Sequence, residues 1–226
     1  MIKSWNSFKA KKFFRRLLAS SLVLVIGLSG VELAQAKSSK ASTILAKILI
    51  KGRAPKTGYN RALFSDGWGS IGSCDTRNYI LRRDLTNITW RSSPSCTVAT
   101  GILHDPYTGA VINFVRGVRT SNAVQIDHVI AVSDAWQKGA QQLSSQQRYN
   151  FYNDPLNLLA VDGPTNESKS DSDAASWLPP NKTFRCAYVA RQIAVKYKYH
   201  LWVTRAEHDA MASVLHTCPA KLVPVG

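Results

Sequence analysis

The stretch Gln125-Ile126-Asp127-His128-Val129-Ile130-Ala131-Val132 sets a carboxylate beside an imidazole in an apolar run that reads as a buried strand, Val124–Val132. Two desolvated polar groups in such a strand are costly unless something uses them. Downstream, Asn157 heads a short apolar strand, Asn157–Val161, and Asp162-Gly163-Pro164 makes a turn. Thr165 then caps a helix expected to open at Asn166, with Lys169 one turn later. Strand, strand and helix in that order can bring Asp127, His128 and Asn166 around one point. An imidazole there can take a proton from water near neutral pH. A carboxylate and an amide oxygen are hard ligands suited to Mg2+ or Mn2+, which keep several waters. Such a cation neutralises charge at a phosphodiester under attack. Neighbours in a regular strand point to opposite faces, so Asp127 and His128 share a site only if the strand ends or bulges there. The unreactive alternative is a core histidine hydrogen-bonded to Asp127.

The elements that must position these groups form an α+β pattern. Tyr79-Ile80-Leu81 and Ile88-Thr89-Trp90 read as strand fragments. Asp105-Pro106-Tyr107-Thr108-Gly109 is a turn between Thr97–Leu103 and Ala110–Val115, which predicts a β-hairpin. A helix over Ser133–Ala140 follows the histidine. Ser144-Ser145-Gln146-Gln147 has the form of a capping box opening a helix that Asp154-Pro155 should stop. Two helices close the chain. One spans Phe184–Tyr199, and the other follows the second capping box, Thr204-Arg205-Ala206-Glu207, and runs to about His216.

Residues 1–36 read as a secretory signal peptide. Six basic residues precede the short apolar run LLASSLVLVIGLSG, and Ala34-Gln35-Ala36 offers a cleavage site. Removal after Ala36 leaves 190 residues, enough for one domain, with residues 37–60 as a linker and 61–226 as the functional domain. The expected location is outside the cell or in its envelope, with no stable membrane association after cleavage. The leader holds six of the 29 basic residues and one of the 14 acids, so the remainder still carries +10. A field of that sign attracts polyanions. The four cysteines, Cys74, Cys96, Cys186 and Cys218, suggest two disulfides in an exported chain. Cys74–Cys96 and Cys186–Cys218 are favoured because each closes a local loop. No C-x-x-C pair supports a zinc site.

The stretches IDHVIAVSDAWQKGA, YNDPLNLLAVDGPTNESKSD and SWLPP, with CDTRNYILRRDL and DPYTGAVI upstream, resemble the HNH, or ββα-metal, endonucleases. The similarity is greatest to exported members related to the C-terminal part of the Gmr-type modification-dependent restriction enzymes, and it covers roughly Cys74 to Cys218. D-H alone is a weak signal; D-H, then N-L-L-A-V, then N-x-x-K in order is a specific one. The resemblance implies a ββα-metal core with a hairpin region before it and a helical pair after it. It implies His128 as general base, Asp127 and Asn166 as ligands of Mg2+ or Mn2+, and Asn157 as the residue that holds the loop carrying His128. Lys169 matches a basic residue beside the site, near a phosphate. The segment from Ser133 to Pro155 is longer than in the most compact members. Arg148 is the preferred further phosphate contact, among Arg82, Arg83, Arg116, Arg119 and Arg185. The expected activity is metal-dependent hydrolysis of DNA, with RNA a second candidate, at low sequence specificity. The competing expectation is a basic exported protein that holds nucleic acid for uptake or adhesion.

Overall fold

The computed structural model describes residues 39–92 and 96–225. The expected signal peptide, residues 1–36, and its expected cleavage site lie outside the described residues. In chain order, helix α1 (Ala41–Leu45) precedes a two-stranded ribbon, β1 (Ser70–Ile71) and β2 (Cys74–Asp75). Helix α2 (Thr76–Asp84) leads into an antiparallel meander, β3 (Leu85–Trp90), β4 (Val98–His104) and β5 (Val111–Val115). Next come β6 (Val124–His128), α3 (Val132–Gln137), α4 (Ser145–Tyr152), β7 (Leu158–Asp162) and α5 (Gly163–Lys169). The last two helices are α6 (Arg185–Lys198) and α7 (Arg205–His216).

The segment expected as a linker is part of the core. Ala41, Ile44, Leu45 and Ile48 are buried together with Val189 and Ile193 of α6 and Met211 and Leu215 of α7. The ILAKILI patch, residues 44–50, is apolar because it packs, and burying Ile44, Leu45 and Ile48 stabilises the fold. Main-chain bonds hold it in place: Ala41 N–H donates to Lys221 O at 2.8 Å, and Val223 N–H donates to Ser39 O at 2.9 Å.

A second correction concerns Tyr79–Leu81, which is helix rather than strand. The Asp75 carboxylate caps α2 by accepting from Asn78 N–H at 2.8 Å. Helical spacing then buries Ile80 and Leu81 against Leu85, Leu158 and Ala160. The hairpin forms as expected as β4 and β5, with Gly109 at φ +81° in a left-handed turn position. The Asp105 carboxylate organises that turn, accepting from Thr108 N–H and, through its other oxygen, from Asp162 N–H at the end of β7. This tie delivers Tyr107 to the centre of the molecule. Both expected disulfides form, Cys74–Cys96 and Cys186–Cys218.

The Ser144 capping box is complete, with Gln147 returning the bond to the cap. At Thr204 only half of the box forms. Its hydroxyl takes Glu207 N–H, while the Glu207 carboxylate turns inward to Lys138 and Lys196.

Candidate active site

Strands β6 and β7 pair antiparallel in regular register, from Val124 opposite Asp162 to His128 opposite Leu158. The chain turns at once into α5. Asp162, not Thr165, is the cap: its carboxylate accepts from Thr165 N–H at 2.9 Å, and Pro164 sits in the first turn. The helix therefore begins three residues earlier than the sequence suggested. Gly163 is required here, since a Cβ would stand 2.0 Å from Asn122 O. The close turn lays α5 against β6 and β7.

Asp127 and His128 meet different neighbours, as consecutive strand residues should. The strand ends at His128 without a bulge. That ending lets both side chains border one cavity of about 330 Å³, with Arg61, Gln125, Asn166 and Asp171 also in its wall.

His128 is buried and does not bond Asp127. Its Nε2 lies 2.9 Å from Tyr152 O. A carbonyl only accepts, so Nε2 carries the proton and Nδ1 is the basic nitrogen. Nδ1 has no hydrogen-bond partner among the described residues. The ring stacks on Trp68 at 5.6 Å and 9° and sits 4.4 Å from the Tyr152 ring. Burial, with help from Arg61, lowers its pKa to about 3, so the free protein holds it neutral.

Asn157 is fully buried. Its side-chain oxygen accepts from Ile130 N–H at 2.9 Å, and its main-chain oxygen accepts from Val129 N–H at 2.8 Å. Gln192 of α6 adds a bond to Val129 O at 3.2 Å. The turn leaving His128 is thus fixed from two sides.

Asp127 is held by two donors. Lys169 Nζ stands 2.9 Å from one oxygen, and the Tyr107 hydroxyl donates to the other at 2.5 Å. Burial raises the Asp127 pKa, with the Lys169 charge opposing it. Lys169 also donates to His128 O at 2.9 Å and is itself fully buried. The expectation of Lys169 beside a phosphate does not match this position. The inward face of α5 carries it beneath β6, where it orients Asp127. Asn166 lines the cavity, donating through Nδ2 to Gln125 Oε1 at 2.8 Å and leaving Oδ1 without a partner among the described residues.

Arg148 is not part of this cavity wall. Its guanidinium bonds the carbonyls of Leu63 and Leu143, so it supports a turn rather than a ligand. Arg83, Arg116 and Arg185 also spend donors on main-chain carbonyls. Four residues that complete the site were not singled out from the sequence: Arg61, Trp68, Tyr107 and Tyr152. No spacing rule flags them; Tyr107 lay inside the recognised turn, and the other three act through tertiary contacts.

A model of the C-terminal domain of GmrSD restriction endonucleases matches residues 75–214. The chain belongs to that family. It is therefore a member of an endonuclease family, built from helices and strands and stapled by two disulfides. It is also 37% identical over 183 residues to a protein of Arthroderma benhamiae named as an uncharacterized secreted protein, covering 80% of this chain and 86% of that one. With the leader read over residues 1–36, this makes the chain an exported one. Among the described residues no helix is long and apolar enough to cross a membrane.

Proposed function

We propose that the chain is an exported, metal-dependent endonuclease with an HNH-type ββα-metal core, cutting DNA with low sequence specificity and RNA as a second candidate substrate. The observation that carries this reading is the His128 tautomer. The Tyr152 carbonyl pins the proton on Nε2 and leaves Nδ1 basic in a residue that borders the same cavity as Asp127 and Asn166.

Among the described residues no three His, Cys, Asp or Glu side chains converge as a metal cage. One carboxylate with one carboxamide oxygen instead suits a hard cation that keeps most of its waters. Asp127 and Asn166 Oδ1 would hold it, each Asp127 oxygen having a lone pair beyond its present bond. When bound, the cation supplies charge neutralisation at the phosphate and leaving oxygen.

The protein's own steps follow from the geometry. Nδ1 of His128 accepts a proton from a water, while Nε2 stays bonded to Tyr152 O. An anionic phosphate in the cavity lifts the depressed His128 pKa toward the working range, so the base gains strength as substrate arrives. Asn157 keeps the turn after His128 from moving, and Lys169 with Tyr107 keeps the Asp127 carboxylate in one orientation. The +10 charge favours phosphate-dominated binding, hence steep salt dependence and little base reading.

One feature favours a second reading. An ammonium already neutralises Asp127, as it would in a protein that binds nucleic acid and cuts nothing. Plasmid cleavage by the exported chain, with its disulfides formed, separates the two. Nicking in Mg2+ or Mn2+, absent in chelator and in His128→Ala, is the expected result. DNA binding with intact plasmid under every metal would overturn the nuclease and leave the binding protein.

A further inference from the structure

Arg61 is the cation in the wall of the cavity that holds Asp127, His128 and Asn166; Lys169 stands behind Asp127. It opens a short turn, Arg61–Leu63, capped by the Asn60 side chain. Arg148 braces the same turn through Leu63 O at 3.0 Å. The guanidinium lies over the Tyr152 ring, 5.0 Å from its centroid. It donates from Nε and Nη2 to the Tyr152 hydroxyl at 3.3 and 3.2 Å. The Tyr59 hydroxyl is a further hydrogen-bond partner of the guanidinium, and two tyrosine partners for five N–H donors leave part of the fork uncommitted. No carboxylate pairs with Arg61 among the described residues, in contrast to Arg53, Arg83 and Lys138.

One residue therefore sets two groups at a fixed separation. The Tyr152 main-chain oxygen holds the His128 ring, and its hydroxyl and ring hold Arg61. A rigid guanidinium held by two tyrosines, with donors to spare and no carboxylate partner, lining a cavity beside a basic imidazole, is built to grip a planar or tetrahedral oxyanion. Resting on the nuclease reading of this site, we propose that Arg61 is the substrate-binding residue that grips the scissile phosphate or its neighbour. It comes from a segment ahead of the family match, which begins at residue 75. This chain thus completes the family site with a part of its own N-terminal region.

The test uses the exported chain and Arg61→Ala, Arg61→Gln and Arg61→Lys. Gln keeps length and a donor for Tyr152 while removing the charge, so it carries the test should Ala disturb the turn. Two readouts are taken. The first is cleavage of a short duplex across salt concentrations. The second is duplex affinity in chelator on a His128→Ala background, which needs no chemistry. Ala and Gln should each lower kcat/KM on the order of 10- to 100-fold, as expected for a charge-assisted contact. Both should weaken binding and make the slope of log affinity against log salt shallower by about one phosphate. Lys should recover part of the loss, since it restores charge but not the fork. Wild-type kcat/KM and an unchanged salt slope in both Ala and Gln would overturn the proposal. An inactive wild type would remove the nuclease reading, while the affinity arm would still decide whether Arg61 grips phosphate.

Discussion

Two groups of buried charges lie in this molecule, and they are built differently. Beneath α6 and α7, Lys138 contacts Asp134, Asp173 and Glu207 at 2.6–2.7 Å. Lys196 adds Glu207 at 3.0 Å, and Arg53 adds Asp134 and Asp173. Three cations meet three anions, so every charge there has an opposite charge beside it, although Asp134 Oδ1 and Glu207 Oε1 are paired by charge alone, without a hydrogen bond. At the cavity, Lys169 and Tyr107 satisfy Asp127, but Nδ1 of His128 and Oδ1 of Asn166 are left open among the described residues, and Arg61 has tyrosine partners but no carboxylate. Buried charge by itself does not mark a site. A site is marked by polar groups held rigidly on one side and left free on the other, which costs stability that a closed network keeps.

Four experiments break or sharpen this contrast. The largest effect belongs to the open group: His128→Ala should lower cleavage by about 10²- to 10⁴-fold, the usual worth of a general base. Retained wild-type cleavage would move the base elsewhere. Next, Lys138→Met and Lys169→Met should each cost about 3–5 kcal/mol in urea unfolding, because the first leaves three buried acids with two cations and the second leaves Asp127 with none. The two should part when Mg2+ is added. A divalent cation should recover stability in Lys169→Met, where Asp127 borders a cavity, and should do nothing for Lys138→Met. Equal responses would erase the distinction drawn here. Asn157→Ala should cost about 1–3 kcal/mol by orphaning Ile130 N–H, with a larger fall in kcat than in KM.

The last effects are in pH dependence, and their windows overlap only between about 3 and 3.8. Burial first, then Arg61, holds folded His128 near 3 against 6.5 unfolded. The unfolded chain therefore binds the proton first, so stability is complete above about 6.5 and declines as pH falls toward 3. For Asp173, burial pushes upward but the bonds and charge of Lys138, with Arg53, outweigh it and bring the pKa to about 2 from 3.8. That contribution is present above 3.8 and is lost as pH falls through about 2. Denaturant midpoints followed across pH should lose the upper window in His128→Phe and the lower one in Asp173→Asn.

Local signals made much of the site's scaffold readable. The order D-H, N, N-x-x-K placed His128, Asn157 and Asn166 on adjacent elements, because strand–strand–helix units are written in short stretches of chain. The Ser144 cap, the 105–109 turn and both disulfides were legible for the same reason. Readings failed where packing overrode local composition. Tyr79–Leu81 is apolar enough for a strand, yet the Asp75 cap and the partners of Ile80 and Leu81 make it helical. ILAKILI sits in a Ser- and Lys-rich stretch, but its three buried residues have partners about 150 residues away. Lys169 was in the right place in the motif and was given the wrong neighbour, since helix phase decides whether a lysine meets solvent or Asp127.

The bonds between residues 39–41 and 221–223 bear on when the protein finishes folding. A chain made from its N-terminal end exposes α1 early, but the surfaces that bury it, on α6 and α7, are the last to be synthesised. The core can close only after almost the whole polypeptide has been made, so the first helix waits for the last two.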